Sequence, residues 1–506
     1  MSSSSKASAK GAERENQKQG DDALDEGVLV QANVGPLDHL YLEMVSPPFQ
    51  NCQDNMRILS KIKPQLMLPS VSPEVLRCCR RSVGTENETE RTPQSSPKLS
   101  ANHIIELAAA DFIHSNFRLT YASNISGLSA DDAKDILLVQ NLLKCAEKVC
   151  NEQYDCAGKL LEEYSELRIN RMKVIQRLVY YFNQALCERI ERETGSFRRV
   201  LQSSPHDSIT KISDIAAVYQ KLPLNQVIQF TGIHSVADHV SRCRKVNIVD
   251  LNISCGLQMM ILIQNLAERS HHPVERVRIT AVAASFDPTI EEAGFRLRIL
   301  AKSLNLNFSF HVVSLEYVLN HQENALDLDP EETVVVHAAF ALRHMITDPD
   351  RLEALMNFIR NINPSLMVMI EAEANVNSPV FVHRFVEALF FYGANFEYVE
   401  DCLENDDERS CLEIGFFGPA IRNIVAAEGE ERKFRIVGIN VWRAFFERFG
   451  MVETDLSTLA ISHANLVLER FECGDSGTHC MNGKCLVVSW KDTPMCSLSA
   501  WKFQGM

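Results

Sequence analysis

Val246-Asn247-Ile248-Val249-Asp250-Leu251-Asn252-Ile253-Ser254-Cys255-Gly256 is a short apolar run that ends in an acid and opens into a loop with a glycine. An apolar run of this length, bounded by turn residues, reads as a buried strand. Beyond it, Leu257, Met260, Ile261, Ile263, Leu266 and Ala267 recur at helical spacing. Val277 to Val282 predicts a second strand and Thr289 to Ser303 a helix; Phe308 to Val313 and Glu332 to Ala338 predict two more strands. A helix over Arg351 to Ile362 precedes Pro364, and Leu366 to Glu371 predicts a fifth strand. Strands alternating with helices at this spacing imply right-handed crossovers and a mostly parallel α/β sheet covered on both faces. Lys484 to Trp490 and Ser499 to Phe503 read as a closing antiparallel pair, with a turn around Pro494.

In doubly wound folds a ligand binds beyond the carboxyl ends of the strands, at the switch point. Nucleotide cofactors need glycines there, because only a residue without Cβ lets the backbone come close. A methyltransferase would show an acid, one spacer and Gly-x-Gly-x-Gly. Here the acid is Asp250, and the three glycine slots hold Asn252, Ser254 and Gly256. The second strand ends in Ala283, Ala284 and Ser285, where an acid would hold ribose hydroxyls. The frame of a cofactor site is present without its contacts, so the bulk of Asn252 and Ser254 is expected to close a vestigial cradle. No catalytic residue and no cofactor are expected. The alternative is a methyltransferase-like enzyme or small-ligand sensor at this turn, with Asp250 as the contact.

Upstream, Ile136, Val139, Leu142, Leu143, Ala146 and Val149 form one helix stripe. Leu160, Leu161, Tyr164 and Leu167 continue it, and Met172, Ile175, Leu178, Val179 and Phe182 form another. Mutual packing in a helical subdomain is the expected use of these faces. The first hundred residues, with Ser2 to Ser5 and the Ser-, Thr-, Glu- and Pro-rich Ser82 to Ser100, predict a disordered tail. Within it, Val28 to Met44 and Met56 to Leu68 carry apolar residues. The division is thus a tail over 1–100, a helical cap over 101–235 and an α/β core over 236–506.

The 506 residues are 45% hydrophobic, with a formal net charge of −15 and a pI of about 5.5. Such acidity disfavours non-specific nucleic-acid binding and favours protein partners. Short basic clusters stand at Arg77, Arg80 and Arg81, at Arg198 and Arg199, and at Arg242, Arg244 and Lys245; solvated charge is their expected role. The 15 cysteines form no framework and suit reduced thiols. Neither a secretory signal nor a membrane span is expected. Cys473, His479, Cys480 and Cys485 lie close together but lack the paired Cys-x2-Cys knuckle, so no metal is expected. Glu371 and Glu373 place two carboxylates at the end of the fifth strand, where hydrogen bonds to neighbouring loops are expected.

Over about residues 101 to 503 the chain resembles the GRAS family, block by block and in the family's order. Leu142-Leu143-Lys144-Cys145-Ala146-Glu147 looks like its first leucine-rich region, and Leu297 to Phe310 like the second. Val246-Asn247-Ile248-Val249-Asp250 is similar to the VHIID motif with Asn247 in place of His; Gln258 matches, and Met259 stands where Trp is usual. Glu371 to Asn377, including Asn375, with Arg384 to Leu389, resembles the next block. Ile421 to Gly429, including Glu428, resembles the block after that. Trp442-Arg443, Trp490-Lys491 and Ser499-Ala500-Trp501 complete the SAW region. The resemblance implies a Rossmann-type methyltransferase-like sheet with an α-helical cap, and a plant regulator of transcription in the nucleus rather than an enzyme. It implies partners among other GRAS proteins, as homo- or heterodimers, and DNA-binding transcription factors, with DNA reached directly or indirectly and no membrane. The substitutions at Asn247 and Met259 would then either alter which partner fits or be neutral in the core. Arg443-Ala444-Phe445-Phe446 and Phe449-Gly450-Met451 look like the DELLA or mycorrhiza-associated subgroup.

Overall fold

The computed structural model describes residues 99–116, 128–162, 164, 172–195, 218, 221–285, 287–321, 325–471 and 476–505. The tail over 1–98, the arginines at 77, 80, 81, 198 and 199, Leu167 and Cys473 lie outside the described residues.

Strand β1 (Lys245–Asp250) lies at the centre of a parallel sheet, between β2 (Arg276–Ala283) and β4 (Thr333–Ala339). β3 (Phe308–Ser314) pairs with β2, and β5 (Leu366–Ala372) with β4. The order β3-β2-β1-β4-β5 reverses direction between β1 and β4, which makes that crevice the switch point. Five of the six β1 residues are buried, as expected of a strand flanked by crossovers on both faces.

Helices α5 (Pro223–His239), α6 (Leu257–Ala267) and α7 (Pro288–Ser303) cover one face, sharing a core with Ile248, Ile279, Val335 and Val368. The other face packs on α8 (Leu315–His321), α9 (Pro349–Ile362) and α13 (Ile439–Arg448). Starts and stops follow local chemistry. The Asp287 side chain accepts from the Thr289 N–H at the start of α7, and Asp348 does the same for Arg351 in α9. Asn363 ends α9 in the left-handed region.

The cap comprises α1 (Ala101–Asn116), α2 (Ala130–Cys150), α3 (Tyr154–Glu162) and α4 (Val174–Glu193). The stripes Ile136 to Val149 and Ile175 to Phe182 are buried against one another, as expected. The apolar side chains of these stripes are thus spent inside the cap, leaving Leu137 as its large exposed hydrophobic among the described residues. The cap is also not a separate N-terminal unit. Its core takes in Phe385, Leu389 and Phe396 from α10 (Phe381–Cys402) and Ile421 and Ile424 from α12 (Gly418–Val425). The expected boundary at 235/236 falls inside α5, whose apolar residues belong to the sheet's core.

The C-terminal edge is richer than a closing pair. β9 (Thr493–Phe503) runs antiparallel to β5 and carries β6 (Met451–Thr454) and β8 (Cys485–Trp490) on its other side, with β7 (Gly477–Asn482) beyond β8. α11 (Asp406–Leu412) leads into a π-helical turn, Glu413–Phe417, and α14 (Thr458–Arg470) packs on α5. The turn expected around Pro494 lies instead at Lys491 and Asp492, both at positive φ (44° and 67°), the geometry of a tight two-residue hairpin. Pro494 sits within β9 beside a register shift at Val488/Ser489, where a missing N–H is tolerated. Among the described residues, no helix is long and apolar enough to cross a membrane.

Candidate functional site

The first strand–helix turn ties the sheet's switch point together. Asp250 is buried, and both of its carboxylate oxygens are engaged within the fold. Oδ1 accepts the Asn252 N–H (2.8 Å) and Oδ2 accepts from Nδ1 of His337 (3.0 Å) on β4. The Asn252 side chain donates to the Ala339 carbonyl (2.9 Å), lacing the turn to the end of β4. Asp250 is therefore spent on the sheet, which weighs against the alternative in which it contacts a ligand. Gly256 takes φ 77° at the head of α6, and a Cβ there would lie 3.2 Å from the Ala293 Cβ. This slot alone of the three keeps glycine. Ser254 also adopts positive φ (49°), the region where glycine carries no steric penalty.

Asn252 and Ser254 do not close the space beside the turn, contrary to expectation. They form one wall of a cavity of about 480 Å³. Its floor is the carboxyl ends of β1, β4 and β5, through Ala339 and Ala372. Its roof is Phe391, Tyr392, Asn395 and Tyr398 of α10, with Gly415 to Phe417 of the π-helical turn. Leu224 of α5, Phe434, Ile436, Met495 and Cys496 complete the sides. No Asp or Glu lines it among the described residues. Its charged side chain is Arg343, whose Nε donates to buried Glu371 (2.7 Å) and whose guanidinium lies 4.7 Å from the Phe340 ring centre. Burial, then the Arg343 charge, lowers the pKa of His344, favouring its neutral form. Burial raises the pKa of Tyr392, so its phenol stays neutral. A nucleotide cofactor such as S-adenosylmethionine does not fit these groups: β2 ends in Ala283 without an acid, and the cavity offers none for ribose or a sulfonium.

The motif residues read from the sequence are mostly packing. Leu142 and Leu143 lie in the cap core. Val246, Ile248 and Val249 are buried in β1. Asn247 and Met259 are buried, at 0% and 1% exposure, which favours the core alternative for both substitutions. Asn247 donates instead to Glu332 (3.1 Å) at the opposite end of β1 from the cavity. Glu371 is paired with Arg343 of the 3-10 turn Leu342–His344, while Glu373 accepts the Ile439 N–H (3.0 Å) at the start of α13, so both carboxylates bind neighbouring helical turns rather than loops. Buried Arg384 donates to the carbonyls of Ile424 (2.9 Å) and Ser378 (2.8 Å) and to Glu428, locking α10 to the end of α12. Trp442 stacks on Phe446, and Trp490 lies 4.9 Å from Tyr398. Trp501 donates to Ser499 (2.8 Å). Arg443 forks onto Glu453 with two 3.1 Å bonds. Gln258 lines the cavity, and Asn375 and Glu428 are partly accessible. Cys480 is exposed on β7 and Cys485 buried on β8, and His479 bonds Asn465 (2.7 Å). The cavity's roof was not foreseen: its residues come from segments whose apolar spacing is that of any core helix.

A 3-2-1-4-5 parallel sheet, an antiparallel extension and a helical cap over the first turn define a methyltransferase-like α/β domain whose nucleotide contacts are absent. The model of the GRAS domain family matches residues 138–502, and the chain belongs to that family of plant transcriptional regulators. It is similar to the DELLA protein RGL1 of Arabidopsis thaliana, 29% identical over 372 residues, which cover 72% of this chain and 70% of that protein. It is also similar to the DELLA protein GAI of Solanum lycopersicum, 27% identical over 387 residues, covering 72% and 64%. The crystal structure of SCL7 of Oryza sativa shares the fold, with a TM-score of 0.61 and 24% identity, over 72% of this chain and 99% of that one.

Proposed function

We propose that the protein regulates transcription in the nucleus by binding other proteins, GRAS proteins and DNA-binding factors among them, and reaches DNA directly or through them. It acts without catalysis. Family membership supports the regulatory role. The single observation that argues against an enzyme is the switch point itself, where Asp250 is consumed by Asn252 and His337 and no acid stands at the end of β2. The net charge of −15 favours protein over phosphate surfaces. The likeness of Arg443 to Phe446 and Phe449 to Met451 to the DELLA or mycorrhiza-associated subgroup belongs to the same reading, and Phe445, Phe446 and Met451 are core residues. Nuclear fractionation with a reporter assay and affinity capture from plant nuclei test it. Nuclear accumulation, altered reporter output and recovery of GRAS or DNA-binding partners are expected. Confinement to the cytoplasm with an unchanged reporter, or turnover of S-adenosylmethionine, would overturn it.

A further inference from the structure

We infer that the 480 Å³ cavity is a binding site for a neutral, compact, apolar ring molecule carrying one or two hydroxyl or carbonyl oxygens. This goes beyond the regulatory reading and does not depend on it. The volume lies within the range of small-molecule pockets and holds on the order of 20 non-hydrogen atoms. The walls are aromatic and aliphatic, with Phe391, Tyr398 and Phe434 among them. The polar groups among them include the amides of Asn252, Gln258 and Asn395, of which Asn252 and Asn395 each give one N–H to a backbone carbonyl, together with Ser254, His344 and Tyr392. No acid lines the cavity, and the Arg343 charge is met by Glu371 outside it. Such a lining rewards burial of apolar surface, offers hydrogen bonds to oxygen, and gives a charged ligand no counter-ion.

Three departures from regular backbone converge on the same walls: Ser254 at φ 49°, Phe340 at φ 55°, and the π-helical turn over Glu413–Phe417. A bulky residue at positive φ is a genuine outlier, and π-turns and strained residues concentrate at functional sites. The cavity also lies where the cap and sheet cores meet. An occupant would touch α10 and the π-helical turn on one side and the ends of β1, β4 and β5 on the other.

The test uses the purified full chain and the neutral fluorophore N-phenyl-1-naphthylamine. One saturable site per chain is expected, with a melting temperature raised by a few degrees at saturation. Ala420→Trp and Asn395→Phe, which fill the cavity from two different helices, are each expected to weaken binding at least tenfold while the melting temperature without ligand stays near that of the parent. The anionic 1-anilinonaphthalene-8-sulfonate is expected to bind more weakly, and S-adenosylmethionine to leave the bound dye in place. Absence of a saturable site, binding untouched by a folded Ala420→Trp or Asn395→Phe variant, or displacement by S-adenosylmethionine would overturn the inference. These outcomes leave the nuclear role to its own assays.

Discussion

At the scale of single residues, Glu387 on α10 carries a carboxyl that burial pushes up to about 7 from 4.5. Between those two values the folded protein holds a proton that the unfolded chain has lost. Stability is therefore greatest below 4.5 and falls as pH rises through 7, by roughly 3 kcal/mol at most. Glu387→Gln is expected to flatten that slope, read as the urea midpoint from pH 5 to 8. Gly294 on α7 shows a different constraint. A Cβ there would lie 2.4 Å from the Phe310 ring on β3. Alanine gains about 1 kcal/mol of helix propensity, yet overpacking costs about 1–3 kcal/mol. Gly294→Ala should thus lower the thermal midpoint rather than raise it. Neither constraint was visible beforehand, because Glu387 reads as an ordinary helix charge and Gly294 as an interruption in an apolar pattern.

At the scale of elements, the cap is fastened by Arg177 on α4. Its guanidinium binds Glu413 at the π-helical turn and Glu400 on α10, both at 2.8 Å, with the Glu413 side chain almost fully buried. Breaking a buried pair strands the remaining charge, so Arg177→Ala should cost roughly 3–5 kcal/mol in chemical denaturation. Replacing both partners together, Arg177→Met with Glu413→Leu, should recover most of that loss. Equal losses in the single and double variants would assign the cost to packing alone. The stripes of α2 and α4 and the five parallel strands were legible from period alone, since burial on one or two faces writes itself into apolar spacing. β6 and β7 were not: Met451–Thr454 is only four residues long, and Gly477–Asn482 is largely polar at an exposed sheet edge.

At the scale of the whole molecule, α10 belongs to two cores at once. Phe385, Leu389 and Phe396 pack into the cap, while Ala394, Tyr398 and Val399 pack toward the sheet. Residues 223–505 expressed alone would expose the cap-facing side, so that fragment is expected to aggregate or to lose its cooperative melt, whereas the full chain should unfold in one calorimetric transition. A soluble fragment with a sharp melt would show that the sheet stands without its cap. The sequence by itself determined the strand–helix order, the buried central strand and the loss of two glycines from the turn after it, because these follow from local period and from the presence or absence of a Cβ. The tertiary structure alone decided that the motif residues are core rather than surface and that Asp250 is consumed by His337. It alone decided that side chains at 252 and 254 bound a cavity instead of filling it. Those outcomes depend on which segments distant in the chain, such as Asp250 and His337 on β1 and β4, are brought against the same few ångströms of space.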